Sequence, residues 1–249
     1  MNDTTTRAGG SAGDTALVTG ASRGIGRAIT RRLVADGLRV VTFDRETPEA
    51  VLDGETFVAV DLADRDATRD ALADAVARFA PTRLVNNVGT VRPALLEDAS
   101  FEDLDAVVSL NLRCSMQCAQ ALLPSMTAAG FGRIVNVASR AALGKQLRTV
   151  YAATKAGLIG MTRTWALELA GRGITVNAIG PGPIGTELFH QVNPADSPRT
   201  RAIVDAIPVG RLGEPDDIAQ AAAFFLDARS GFVTGQVLYV CGGMTVGLS

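Results

Sequence analysis

The sequence predicts one doubly wound α/β domain, a parallel sheet covered by helices on both faces. Three observations carry this expectation. Short runs rich in β-branched and apolar residues recur from residue 15 onward, and longer amphipathic stretches separate them. The first run passes through a glycine-rich turn straight into a helical pattern. A chain of 249 residues suits one large domain, and neither a composition shift nor an internal repeat divides it. Residues 1–13 are polar and small and read as a flexible tail, leaving residues 14–249 as the domain.

The strand candidates are Thr15–Thr19, Leu38–Phe43, Thr56–Val60, Arg83–Asn87, Arg133–Ala138, Ile174–Ile179 and Gln236–Val240. They are nearly continuous in apolar residues, as strands buried on both faces should be. Each of the first six is followed by a segment able to hold a helix. After Gly24, one face carries Ile25, Ala28, Ile29 and Leu33, and the pattern stops at Gly37, a suitable helix-ending glycine. From Ala67 to Phe79 the same period runs through Ala71, Leu72, Ala75 and Val76. A long helix is expected from about Phe101 to Ala128, with Leu104, Val107, Val108, Leu112, Met116, Ala119, Leu122 and Leu123 on its apolar face.

The turn after the first strand reads Thr19-Gly20-Ala21-Ser22-Arg23-Gly24-Ile25-Gly26. Its G-x-x-x-G-x-G spacing is a relative of the dinucleotide fingerprint, in which glycines let the backbone approach a pyrophosphate seated on a helix N-terminus. Asp44 ends the second strand, 18 residues after Gly26, where a carboxylate accepts hydrogen bonds from an adenosine ribose. A carboxylate there repels a 2′-phosphate, which favours NAD(H). Arg23 and Arg45 beside it keep NADP(H) open. Asp61, followed by Leu62 at the end of the third strand, is a candidate partner for the adenine amino group, or else a helix N-cap.

Scarcity marks a second site. The chain has two Tyr and, against 22 Arg, only two Lys. One of each forms Tyr151-Ala152-Ala153-Thr154-Lys155, an i, i+4 pair on one helix face. A nearby ammonium favours phenolate, so the pair is expected to lower the tyrosine pKa toward the range useful for general acid/base work.

Other chemistries are disfavoured. One His and three scattered Cys make a zinc site of His/Cys ligands nearly impossible, and an odd Cys count does not suit a disulfide framework. Cys114, Cys118 and Cys241 read as packing residues. With 24 basic and 26 acidic residues there is no electrostatic footprint for nucleic acid or an anionic membrane. No apolar run reaches the about 18 residues a spanning helix needs, and the start lacks a secretory pattern, so the expected setting is the cytoplasm.

These motifs together resemble the classical short-chain dehydrogenases/reductases: Thr19-Gly20-x-x-x-Gly24-x-Gly26, Asn86-Asn87-Val88-Gly89, Asn111, Ser139, Tyr151-x-x-x-Lys155 and Pro181-Gly182, in order, across residues 14–243. The resemblance implies a single Rossmann-type domain with a seven-stranded parallel sheet. It implies Tyr151 as acid/base, Lys155 as the group that tunes it and holds the nicotinamide ribose, Ser139 as the hydroxyl that polarises the substrate oxygen, and Asn111 as the holder of a relay water. By the same resemblance Asn87 and Gly89 pack beside the adenosine ribose, Ile184 and Thr186 in the stretch after the sixth strand approach the nicotinamide carboxamide, and Ser22, Ile25, Pro181 and Gly182 are further cofactor-binding residues. Val88 stands where Ala is common and Cys241 where Asp is usual. A homotetramer built through the long helices and the C-terminal segment is implied as well.

The resulting expectation is an NAD(H)-dependent oxidoreductase interconverting a secondary alcohol and a ketone. NADPH-dependent reduction of a 3-oxoacyl thioester is the alternative within enzymes, and a non-catalytic dinucleotide sensor the alternative outside them. Substrate selection falls to loops at the strand ends, 90–98, 140–150 and a lid at 186–208, which carry Arg92, Arg140, Lys145, Gln146, Arg148, His190, Arg199 and Arg201. Solvated surface is the simpler reading of those cations, and of His190 too.

Overall fold

The computed structural model describes residues 14–194 and 196–246, so the expected tail at 1–13 lies outside the described residues. Seven strands form one parallel sheet in the order β3-β2-β1-β4-β5-β6-β7: β1 Thr15–Thr19, β2 Arg39–Asp44, β3 Glu55–Ala59, β4 Arg83–Asn86, β5 Gly132–Val137, β6 Ile174–Pro181 and β7 Val237–Val240. The order reverses at β1, which pairs with β2 on one side and β4 on the other. The crevice beyond the carboxyl ends of β1 and β4 is where such a sheet holds ligands.

The strands alternate their side chains between two cores. Ala16 and Val18 of β1 enter one core with Val135 and Val137 of β5, while Leu17 and Ile134 enter the other. The first core lies under α1 (Gly24–Ala35) and, through Ile218, Ala222 and Phe225, under a helix at Pro215–Leu226. The second lies under α2 (Arg65–Phe79), through Leu72 and Ala75, and under the long helices described next. The strands β1, β4, β5 and β6 are buried along their whole length.

Two expectations need correction. No helix joins β2 to β3: residues 45–54 form bends and turns, because a short polar stretch with Pro48 and Gly54 offers no apolar face to bury. The single helix expected at Phe101–Ala128 is divided. α3 (Phe101–Val108) runs into a π-helical turn at Ser109–Arg113 and continues as α4 (Cys114–Ala129). The flanking residues keep right-handed helical dihedrals, so the apolar period survives while one turn widens around Asn111. The chain continues through α5 (Thr149–Leu169), α6 (Glu187–Val192), α7 (Pro198–Asp205) and α8 (Pro215–Leu226). The helices α6 and α7 occupy the segment expected as a lid.

A buried ion pair braces the helix-free connection. Arg27 of α1 makes a two-pronged contact with Glu55 of β3 at 2.8 Å on both prongs, and also donates to Ala50 O at 3.0 Å. Thr42 Oγ1 and Leu52 N donate to the same carboxylate at 2.8 and 2.9 Å. Burial alone would raise the Glu55 pKa. The hydrogen bonds from Arg27, Leu52 and Thr42, with the Arg27 charge, outweigh that and hold it below its ordinary 4.5. The pair thus stabilises the fold above that value and is lost as pH falls through the lower folded-state pKa. Glu55→Gln is expected to destabilise by about 3 kcal/mol, because Arg27 stays buried with its partner charge removed. Urea unfolding at neutral pH measures this, and an unchanged midpoint would refute the brace.

Candidate active site

The glycine turn leaves β1 at the sheet's reversal point. Gly20 and Gly24 adopt φ of +65° and +55°. Gly26 has an ordinary φ but no room for a side chain: a Cβ there would stand 2.1 Å from Gly20 O and 2.6 Å from Asn87 Nδ2. Asn87 binds the turn to β4, donating from Nδ2 to Thr19 O at 3.0 Å and Gly20 O at 2.8 Å. Thr19 Oγ1 accepts the N–H groups of Asn87 and Val88, each at 3.1 Å. The turn is therefore rigid and close to the backbone on every side. The first turn of α1 has neither a side-chain cap nor an acidic residue, so its N–H groups and positive dipole end suit an anion such as a pyrophosphate.

At the end of β2, Asp44 Oδ2 accepts the Ser22 N–H at 3.0 Å and Oδ1 the Glu46 N–H at 3.3 Å. Glu46 was not anticipated. It pairs with Arg23 at 2.9 Å and with Arg45 at 3.5 Å, and its carbonyl accepts the Ser22 hydroxyl. Asp61 turns its carboxylate onto the Ala63 N–H at 2.9 Å, and the α2 N-cap is Asp64 instead. Leu62 is buried in the second core. Ile25 packs against the first core, as does the buried Ile184. Pro181 ends β6, and the Gly182 N–H is bound to Val240 O at 2.9 Å. Thr186 caps α6, and its Cγ2 lies 3.4 Å from where a Cβ on Gly24 would stand, so the segment after β6 reaches the glycine turn.

Ser139, just past the carboxyl end of β5, accepts the Ala141 N–H at 3.1 Å, which fixes its hydroxyl. Tyr151 lies in the first turn of α5, close enough for the Ser139 hydroxyl to act on it. Lys155 is buried one turn further along. Its Nζ donates to Val137 O at 2.7 Å and lies 5.6 Å from the centroid of the Tyr151 ring. Burial pushes the Lys155 ammonium down to about 8.

The expected depression of the tyrosine pKa is not what this arrangement produces. Burial is the largest influence on Tyr151 and raises its pKa; the nearby Ser139 hydroxyl and the charge of Arg148 pull the other way without cancelling it. Lys155 faces the ring and a carbonyl rather than the hydroxyl, and the low-polarity surroundings that bring the pair together penalise phenolate and ammonium alike.

Asn111 sits wholly buried in the π turn. Its Oδ1 accepts the Thr90 N–H at 2.9 Å, and its Nδ2 donates to Thr90 O at 3.1 Å and Thr154 Oγ1 at 3.0 Å. Gly89 completes the assembly: a Cβ there would stand 3.1 Å from Asn111 Oδ1 and 3.4 Å from Lys155 Nζ. Thr90 and Thr154 escaped sequence reading, since isolated threonines carry no motif. A second buried polar chain also did: Asn86 Nδ2 donates to Asn136 Oδ1, and Asn136 Nδ2 to Thr162 Oγ1, each at 2.9 Å. The signal was present as asparagines interrupting apolar strands, costly to bury unless paired.

The cysteines are free and buried. Hydrogen bonding with Cys114, together with burial, pushes the Cys118 thiol well up and away from reactive thiolate. His190 is exposed and stacks edge-on against Phe189 at 5.6 Å between centroids. Among the described residues no His, Cys, Asp and Glu group is arranged to hold a metal, and no helix is long and apolar enough to cross a membrane.

Comparison with known proteins agrees with this fold. A family model described as enoyl-(acyl carrier protein) reductase matches residues 20–245. The (2S)-[(R)-hydroxy(phenyl)methyl]succinyl-CoA dehydrogenase subunit BbsD of Thauera aromatica is 38% identical over 241 residues, 93% of this chain and 96% of that one. This chain is a classical short-chain dehydrogenase/reductase. The 3-oxoacyl-[acyl-carrier-protein] reductase FabG of Thermotoga maritima is 38% identical over 245 residues, 94% of this chain and 98% of that one. Relatives from Synechocystis and Staphylococcus carry that reductase name too. A crystal structure described as an NAD(P)-dependent gluconate 5-dehydrogenase from Beutenbergia cavernae, with NADP bound at low occupancy, superposes with a TM-score of 0.87 at 34% identity, covering 94% of this chain and 98% of that one. As a short-chain dehydrogenase/reductase the chain is an oxidoreductase acting on hydroxyl or keto groups with a nicotinamide dinucleotide.

Proposed function

We propose that the enzyme interconverts a secondary alcohol and a ketone, with the substrate oxygen held between Ser139 and Tyr151. The observation that carries this reading is the placement of Tyr151, in the first turn of α5, close to Ser139 at the end of β5 and over the buried Lys155, whose Nζ is held on Val137 O. A bound nicotinamide dinucleotide supplies or accepts the hydride, and the uncapped α1 N-terminus, the glycine turn and Asp44 fit its diphosphate and ribose. Ser139 orients the substrate oxygen and donates a hydrogen bond to it. Tyr151 gives its proton to the oxygen in reduction and takes one in oxidation. Lys155 adds positive charge beneath the ring, and Asn111 anchors loop 89–90 against α5 through Thr90 and Thr154.

The named relatives support reduction of a 3-oxoacyl thioester better than they support an unspecified alcohol. That substrate is itself a ketone, so the residue roles are the same. Initial rates on 3-oxoacyl thioesters and simple ketones, with NADH and with NADPH, decide between the two. No turnover of any ketone or alcohol with either dinucleotide would reject the enzyme reading.

For the cofactor, the NADP-bound neighbour supports NADP(H), whereas the end of β2 supports NAD(H). Asp44 occupies the ribose side, and Glu46 engages both arginines otherwise suited to a 2′-phosphate. Glu46→Gln releases Arg23 and Arg45. Because exposed pairs are individually weak, we expect the NADP:NAD ratio of kcat/KM to rise by only about three- to tenfold. An unchanged ratio would remove Glu46 from the selection.

We also propose a homotetramer, supported by apolar side chains left outside both cores: Phe101 on α3 is 80% exposed and Leu167 on α5 is 86% exposed. A monomeric mass by light scattering would overturn it. Free buried cysteines accord with a reducing, cytoplasmic setting.

A further inference from the structure

Ser139 and Tyr151 stand on different elements, Ser139 two residues past β5 and Tyr151 in the first turn of α5. The chain between them is a 3₁₀ turn at Arg140–Leu143 followed by turns, exposed from Leu143 to Leu147. Such a surface connection does not fix the distance between its ends. The interface of β5 with α5 must do so. Near the site its apolar cluster is small: Ala138, just past β5, and Ile159 of α5 pack with Ala178 of β6. Alanine faces supply area but little shape to hold a register.

Among the described residues, two side-chain hydrogen bonds join β5 to α5, and they use consecutive residues of the strand. Lys155 Nζ donates to Val137 O at 2.7 Å, and Asn136 Nδ2 donates to Thr162 Oγ1 at 2.9 Å. Lys155 and Thr162 are two turns apart on one helix face, which separates the ties by about 10 Å along the axis. Neither sliding nor turning α5 on β5 keeps both. The outer tie is itself held at each end. Thr162 Oγ1 donates to Leu158 O at 2.7 Å. Asn136 Oδ1 accepts from Asn86 Nδ2 at 2.9 Å, and the same Nδ2 donates to Ser115 O of α4 at 3.3 Å. Ser115 Oγ in turn donates to Asn111 O at 3.0 Å. The chain thus runs from α5 through β5 and β4 to the π turn. Asn86, Ser115, Asn136 and Thr162 are all at most 2% exposed. Buried polar groups cost free energy unless paired, and their bonds are directional, whereas valine or leucine in those places would pack without fixing a register.

Resting on the alcohol–ketone reading above, we propose that Thr162 and Asn136 are positioning residues for that reaction: their buried hydrogen bond, together with Lys155 on Val137, sets the spacing of Ser139 and Tyr151. Both act through their neighbours. Thr162 lies three turns beyond Tyr151, about 16 Å along the helix. Without the outer tie, the Lys155 ammonium remains as a single polar pivot between α5 and β5, and the Tyr151 hydroxyl swings away from Ser139.

The test compares Thr162→Val, which replaces the hydroxyl with a methyl of like size, with Thr162→Ser, which keeps it. Reduction of acetoacetyl-CoA and of ethyl acetoacetate is followed with NADH and with NADPH. Thr162→Val is expected to lower kcat about tenfold, a fraction of the roughly 10²-fold cost of a 1 Å misplacement, with the dinucleotide KM within about twofold of wild type. Thr162→Ser is expected to bring kcat back to within about threefold. The pH profile separates positioning from stability. Burial raises the Tyr151 pKa, Ser139 and Arg148 lower it, and Lys155 lies beneath the ring. A looser Ser139 contact therefore moves the reduction limb to higher pH in Thr162→Val, whereas lost stability alone leaves it in place. Unchanged kcat in Thr162→Val, an unmoved limb, or a serine variant as impaired as the valine one would overturn the proposal. Should Thr162→Val not fold, Thr162→Ala, which leaves space for a water beside Asn136, carries the same expectations. If the wild type reduces neither ketone, the alcohol–ketone reading falls, and ultraviolet titration of the Tyr151 phenol, taken as the difference from Tyr151→Phe, still decides the tie. An upward shift in Thr162→Val supports it, and no shift sinks it.

Discussion

Replacing Tyr151 with Phe is expected to lower kcat by about 10²–10⁴-fold, the usual contribution of a positioned acid/base, with little change in dinucleotide affinity. The ring would keep its place at the start of α5, above Lys155 and beside Ser139, so the loss isolates the hydroxyl. Wild-type alcohol oxidation needs the phenolate and should rise as pH climbs toward the Tyr151 pKa, whereas ketone reduction needs the phenol and should fall there. Burial raises that pKa while Ser139 and Arg148 lower it, so Ser139→Ala is expected to move both limbs to higher pH. In Tyr151→Phe both limbs vanish. Steady-state rates across pH, with cofactor affinity from nicotinamide fluorescence, make the measurement. Unchanged turnover in Tyr151→Phe would overturn the assignment and leave the dinucleotide-sensor reading in its place.

Gly26→Ala is expected to be the most damaging single methyl in the molecule for cofactor binding. The new Cβ would lie 2.1 Å from Gly20 O, a backbone atom with no rotamer to escape through, and 2.6 Å from Asn87 Nδ2, whose two hydrogen bonds hold the turn to β4. Moving that backbone costs about 1–3 kcal/mol of stability by overpacking. A displacement near 1 Å at the diphosphate seat weakens binding or turnover on the order of 10²-fold. Calorimetric titration of NAD and a urea melt report the two effects separately. Native affinity with an unchanged midpoint would show that the turn can yield, contrary to its packing. As a control, Gly37→Ala meets no atom within 4 Å, so any stability loss there reflects only its φ of +87° and cofactor affinity should be unaffected.

Much of the catalytic side was legible because it is local. Tyr151 and Lys155 share a helix face by spacing alone, and Ser139 follows a strand that the β-branched run Arg133–Val137 announces. All seven strands fall within two residues of the expected bounds. Residues with no motif around them were the ones missed. Glu46, two positions past Asp44, matters only because the turn carrying Arg23 folds back onto it. The π turn at Asn111 left no mark in a helical period that continues unbroken on either side.

By itself the sequence determined the alternation of strand and helix, the glycine turn at the first strand's end and the spacing of the tyrosine–lysine pair. These rest on sterics and on hydrogen bonds between near neighbours, which act before the chain is folded. The tertiary structure alone decided three things. It replaced the helix between β2 and β3 with a connection braced by Arg27 and Glu55. It set the direction in which the Tyr151 pKa moves. It widened one helical turn around Asn111, whose side chain meets Thr90 and Thr154. Each depends on groups far apart in the chain meeting where water is scarce, and neither the meeting nor the local polarity is encoded in residue spacing. The doubly wound pattern was therefore readable from the chain, while the surroundings of Tyr151 and Lys155 required the packed fold.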